Sequence, residues 1–102
     1  MTKGVDEELR VLTVCGVGMG SSLALRMTAE DAFDELDVRA KVEATDVSSA
    51  RSMDADIVIG QGLHTDAFEG QVPVVIAVSD FTDTEGLART LRERMRQAGW
   101  LA

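Results

Sequence analysis

Hydrophobic residues in this chain follow two kinds of spacing, and the changes between them mark out its elements. Residues 11–15 (Val-Leu-Thr-Val-Cys) form a short apolar run that stops at a glycine cluster, as a buried strand does. From Ser21 to Leu36 the spacing changes. Leu25, Ala29, Ala32, Phe33 and Leu36 recur every three or four residues, while Arg26, Glu30 and Asp34 share another side. This predicts an amphipathic helix with Ser21 or Ser22 suited to its N-cap. Residues 38–44 alternate, with Val38, Ala40, Val42 and Ala44 on one weakly apolar face, and predict a second strand. Residues 56–60 and 73–78 are continuous apolar runs bounded by turn residues, which fits central strands covered on both faces. Between these strands, residues 47–53 and 63–68 leave room for one short helix each. Thr82 and Glu85 are spaced as a capping box, Leu87, Leu91 and Met95 form a stripe at four-residue intervals, and Gly99 stands where a helix stops. A closing helix over 84–98 follows.

Strand and helix thus alternate four times, which predicts an α/β fold: a mostly parallel sheet, right-handed crossovers and helices on both faces. In such sheets ligands gather beyond the C-terminal strand ends, where the strand order reverses. Those ends are Cys15-Gly16, Thr45-Asp46, Gly60-Gln61-Gly62 and Ser79-Asp80.

With 102 residues and 45% hydrophobic content the chain suits one domain, over 10–102, behind a flexible N-terminal tail at 1–9. No apolar stretch approaches the roughly 18 residues of a membrane span, and the N-terminus lacks the apolar core of a secretion signal. A cytoplasmic location is expected. The formal net charge of −8 argues against nucleic-acid binding, because phosphate backbones are held largely by Lys and Arg. Arg89, Arg92, Arg94 and Arg96 cluster beside Glu93, and a solvated helix face is preferred there over a docking patch. A single cysteine excludes an internal disulfide, and one His with one Cys makes no plausible metal site. No cofactor is expected.

The chemistry concentrates in Cys15-Gly16-Val17-Gly18-Met19-Gly20-Ser21-Ser22, which puts a thiol, three glycines and two hydroxyls between a strand and a helix N-terminus. Glycines bring backbone N–H groups close to an anion, and the helix end adds unpaired amides and the positive end of its dipole. The same field favours a thiolate. A nucleophile and a cradle for the group it attacks therefore share one loop.

Position excludes several familiar glycine loops. A P-loop ends in Gly-Lys-Ser/Thr, and here Gly20 is followed by Ser21 with no lysine. A dinucleotide fingerprint needs glycine at its sixth place, which is Ser21. The thiol-phosphatase loop is nearer, but its phosphate-clamping arginine is again replaced by Ser21. Without that guanidinium a phosphate on sulfur would be held while the hydrolytic transition state is less stabilised, which describes a carrier better than a phosphatase. Other readings stand beside these. Cys15 alone would read as a small buried hydrophobe, Ser21 and Ser22 as helix caps, and the glycines as a tight turn. His64 is better read as an exposed loop residue than as a proton shuttle, and Asp46 and Asp80 as caps or solvated groups than as catalysts.

At this loop the sequence resembles the enzyme IIB component of the bacterial phosphoenolpyruvate-dependent sugar phosphotransferase system, particularly the ascorbate-type branch of the lactose/cellobiose-like superfamily. The resemblance spans about residues 10–98, and its specific part is Cys-Gly-x-Gly-x-Gly-Ser-Ser after an apolar strand. It implies a four-stranded parallel sheet in the order 2-1-3-4, with a phosphatase-like phosphate loop after strand 1. Cys15 would take a phosphoryl group from the phosphohistidine of a cytoplasmic IIA partner, with Gly16, Val17, Gly18, Met19, Gly20, Ser21 and Ser22 as its phosphate-binding loop. The group would pass to a sugar or ascorbate held by the membrane component IIC, the chain itself staying peripheral to the inner membrane without inserting. The competing classes are a low-molecular-weight thiol phosphatase or arsenate-reductase-like enzyme, and a non-catalytic regulatory domain binding an anion or a protein.

Overall fold

The computed structural model describes residues 8–14, 19–60, 65, 68, 70–78 and 83–100. The elements run β1 (Leu9–Val14), α1 (Met19–Glu35), β2 (Ala40–Thr45), α2 (Val47–Ala50), β3 (Ile57–Gly60), β4 (Val74–Ala77) and α3 (Thr84–Gln97). The strands form one sheet in the order β2-β1-β3-β4, with every pair parallel. The order and direction agree with the sequence expectation. β1 begins at Leu9, two residues ahead of the apolar run and inside the segment assigned to the tail. Residues 61–64, 66, 67 and 69, which hold most of the second expected short helix, lie outside the described residues.

Alternation along the central strands builds two cores. Leu9 and Val11 of β1, Ile57 and Ile59 of β3, and Val74 and Ile76 of β4 pack with Leu25, Ala29, Ala32 and Phe33 of α1 and Leu87, Leu91 and Met95 of α3. Leu12, Val14, Val58 and Val75 point the other way, onto Ala50 of α2 and Phe68. Helices therefore cover both faces, and β1 and β3 are buried throughout except at Arg10.

The long helices end by one device. Gly99 takes φ +82°, Gly99 N–H donates to the Arg96 carbonyl at 3.1 Å, and Trp100 N–H reaches back to Met95 at 2.8 Å. This is a Schellman stop, and buried Trp100 supplies its apolar contact to the core containing Met95. At the end of α1 the same bonds run from Asp37 to Asp34 and from Val38 to Phe33, both at 3.1 Å. Here the left-handed position is Asp37, at φ 55°. Val38, expected as the first inward residue of β2, is instead the buried residue that closes this motif, and β2 starts two residues later.

The helix starts differ from expectation. α1 opens at Met19, so Ser21 and Ser22 are its third and fourth residues rather than its cap. α3 is capped by Asp83, whose carboxylate accepts the Gly86 N–H at 3.0 Å. The Thr82–Glu85 spacing predicts Thr82 for this place, but the carboxylate beside it fits the same offset and is the stronger acceptor.

The arginines of α3 divide. Arg89, Arg92 and Arg96 are exposed, whereas Arg94 is half-buried and its guanidinium donates to the Val75 carbonyl at 3.0 Å. Val74 and Val78 donate their N–H groups toward β3, to the Asp56 and Gly60 carbonyls, so the Val75 carbonyl faces the open edge of β4, and Arg94 occupies an acceptor there with which another strand would otherwise pair.

Candidate functional site

In a sheet of parallel strands joined by a helix, that helix runs back antiparallel to them. The N-terminus of α1 therefore lies at the C-terminal edge of the sheet, the edge at which β1 ends. Only residues 15–18 separate Val14 from Met19, so the backbone turns from buried strand to helix within four residues. Cys15, Gly16, Val17 and Gly18 themselves lie outside the described residues. Met19, Gly20, Ser21 and Ser22, expected in the loop, form the first turn of α1. The first N–H groups of any helix lack an intrahelical acceptor, so the turn that follows Gly18 brings free main-chain donors and the positive end of the helix dipole to this edge.

Strand order fixes where on that edge a ligand fits. The chain leaves β1 for β2 on one side, then crosses to β3 and β4 on the other, so the crevice opens between the ends of β1 and β3. Val14 and Gly60 are partners in the register there. A Cβ at Gly60 would stand 2.6 Å from Val14 Cγ2 and 2.7 Å from the Val14 carbonyl oxygen, and 3.4 Å from Cγ2 of buried Thr65. The absence of a side chain lets β1 and β3 close up at the residue before Cys15. Sequence reading placed Gly60 at a strand end without giving it this part. A glycine closing the β-branched run Ile57-Val-Ile was the available signal, since glycine in a strand marks close backbone approach.

The other candidates separate from this point. Asp46, at the end of β2, caps α2: its carboxylate accepts the Ser49 N–H at 2.6 Å. The backbone N–H of Ser49, and then its hydroxyl, hold the Asp46 carboxyl below the usual carboxylate range, against a smaller opposing effect of burial. The capping role preferred from sequence is the one observed. His64 and Asp80 lie outside the described residues.

A cavity of about 580 Å³ lies at the opposite edge. Glu30, Asp31, Asp34 and Asp37 line it beside Glu8 and Arg39. Five carboxylates against one guanidinium repel a phosphate, so cavity size and anion chemistry point to opposite ends of the molecule, and the chemistry decides. Among the described residues no group of His, Cys, Asp and Glu has the arrangement of a metal site, and no helix is long and apolar enough to cross a membrane.

Two comparisons with known proteins bear on this chain. A family model for the lactose/cellobiose-specific IIB subunit of the PTS system matches residues 10–93. Over 89 residues the chain is 28% identical to the ascorbate-specific PTS system EIIB component of Mycoplasma pneumoniae, covering 84% of this chain and 94% of that protein.

Proposed function

The chain belongs to the lactose/cellobiose-specific IIB subunit family of the phosphotransferase system, and from that premise we propose that Cys15 is the atom site on which it carries a phosphoryl group. Membership gives the coarse role, a phosphocarrier in sugar uptake. The finer reading is a two-step transfer. In the first, the Cys15 thiolate attacks the phosphorus of a phosphohistidine on a IIA protein. An S–P bond forms, the N–P bond breaks, and the imidazole keeps the electron pair and takes a proton. In the second, a hydroxyl of the transported compound, held by a membrane IIC component, attacks the same phosphorus. The S–P bond breaks, the hydroxyl proton is released and the thiolate returns.

One observation carries this reading: four residues join the end of β1 to the start of α1 at the strand-order switch, and the first of them is the chain's lone cysteine. Donors at the start of α1 and glycines 16 and 18 supply the amides for the bound group. Ser21, where a phosphatase carries arginine, sits in the first turn of α1 and leaves hydrolysis without a fixed cation. The relative's name makes ascorbate the leading acceptor and the family's name a sugar; the protein works from the cytoplasmic face of the membrane that holds IIC.

Intact mass after incubation with a phosphohistidine-loaded IIA protein tests it. Wild type should gain one phosphoryl group, and Cys15→Ala none. A wild type that stays unmodified while its IIA donor remains loaded would overturn the assignment, and turnover of an aryl phosphate would favour a phosphatase.

A further inference from the structure

On α1, the residues turned from the core form a row that changes character along its length. Leu25, Thr28, Ala29, Ala32 and Phe33 face inward. On the outward side Leu23 and Met27 come first, and Glu30, Asp31 and Asp34 follow. Leu23 is 46% and Met27 65% exposed, and they are the large hydrophobic side chains that stand exposed among the described residues. Single exposed apolar residues need no explanation. These two are different in placement, because they lie one turn apart on one row, in the second and third turns of α1.

From these positions we infer that Leu23 and Met27 are the docking ridge for the IIA phosphodonor, an inference that rests on the Cys15 assignment above. At about 1.5 Å per residue, Leu23 and Met27 lie roughly 6 and 12 Å along the axis from Met19. A protein donor must bring its phosphohistidine into contact with Cys15, four residues before Met19. The surface around that histidine then lies over the first turns of α1, while the acidic half of the row stays beyond it. Two partly exposed side chains fall far short of the roughly 800 Å² per partner of a stable interface, which disfavours a permanent second copy of this chain. The carboxylates that continue the row repel anionic lipid headgroups. A small apolar contact beside the reacting loop suits a partner that binds briefly and leaves, as a donor must before the acceptor can approach.

The double variant Leu23→Gln/Met27→Gln keeps side-chain length and helix propensity while removing the apolar surface. With phosphohistidine-loaded IIA protein of the ascorbate type, we expect its kcat/KM for phosphoryl acceptance to fall by roughly tenfold or more, mainly through KM. The rate at which iodoacetamide alkylates Cys15, and the thermal midpoint, should stay at the wild-type values, which shows loop and fold intact. Acceptance equal to wild type overturns the inference. Should wild type take no phosphoryl group, titration of the same IIA protein onto both chains decides separately: affinity lost in the double variant keeps the ridge, and equal affinity or no binding to either removes it. A wild-type dimer that the variant abolishes would assign the ridge to a second copy instead.

Discussion

A Cβ at Gly60 would meet two atoms of Val14 closer than 3 Å, and the two contacts differ in kind. The Cγ2 methyl can rotate away. The carbonyl oxygen cannot, because β1 is paired on both sides, with Thr45 of β2 opposite Val14 across from Gly60. Gly60→Ala must therefore push the ends of β1 and β3 apart. Overpacking of this kind costs about 1–3 kcal/mol, and the upper half of that range is expected because backbone has to move. Urea unfolding measures it, and wild-type stability would show that the sheet end yields freely. The movement falls on the residue before Cys15, so phosphoryl acceptance should drop as well, even where the protein remains folded. Asp37 shows the opposite economy: a left-handed residue at the C-terminal end of α1 that is not glycine, tolerated because Asp adopts this region more readily than most residues.

At the scale of elements, α2 is a single turn held at its start by Asp46, and its stability should follow the protonation of that carboxylate. The folded pKa is depressed, so the stabilisation is present above the unfolded value of about 3.9 and lost as pH falls through the folded one. The stability gap between wild type and Asp46→Ala should accordingly be full at neutral pH and narrow in acid. The Ser49 amide resonance should titrate with a midpoint below the unfolded value; a midpoint at or above it would contradict the capping geometry. Strands and long helices were legible because their signals are local: apolar runs at 56–60 and 73–78, and the four-residue stripe ending at Gly99. Element starts were less legible, since neighbouring candidates such as Thr82 and Asp83 compete for the same orphan amides, and a serine suited to capping, such as Ser21, can equally stand inside the first turn. The contact of Gly60 with Val14 and the bond from Arg94 to Val75 were not legible at all, because each joins residues 46 and 19 positions apart. The outward Leu23 and Met27 were readable as departures from amphipathicity, but only the burial pattern says that water, and not a neighbouring helix, faces them.

For the whole molecule the governing quantity is charge. Its extents are 36 × 26 × 19 Å, while the screening length is about 30 Å at 10 mM salt and about 3 Å at 1 M. At low salt nearly every charge therefore acts on every other, and a net charge of −8 makes the sum repulsive. Five carboxylates around the cavity at the N-terminal edge concentrate that repulsion, and Asp34 and Asp37 add to it at the negative end of the α1 dipole. Salt also weakens attractions, among them, in the described residues, the Arg26–Glu30 pair at 3.7 Å and the Lys41–Glu43 pair at 3.5 Å. Both are exposed, and such pairs contribute under about 1 kcal/mol each, so relief of repulsion wins. The thermal midpoint should rise by several degrees between about 10 mM and 0.5 M sodium chloride, given that 1 kcal/mol moves the midpoint of a domain this size by roughly 4–8 °C. Asp34→Asn should raise the low-salt midpoint and flatten the dependence. It should leave phosphoryl acceptance unchanged, because the acidic cavity lies at the opposite edge of the sheet from the end of β1 and the start of α1. A midpoint that falls with salt would mean that ion pairs outweigh the carboxylate cluster, and a flat one in wild type that bound counter-ions already neutralise the cluster.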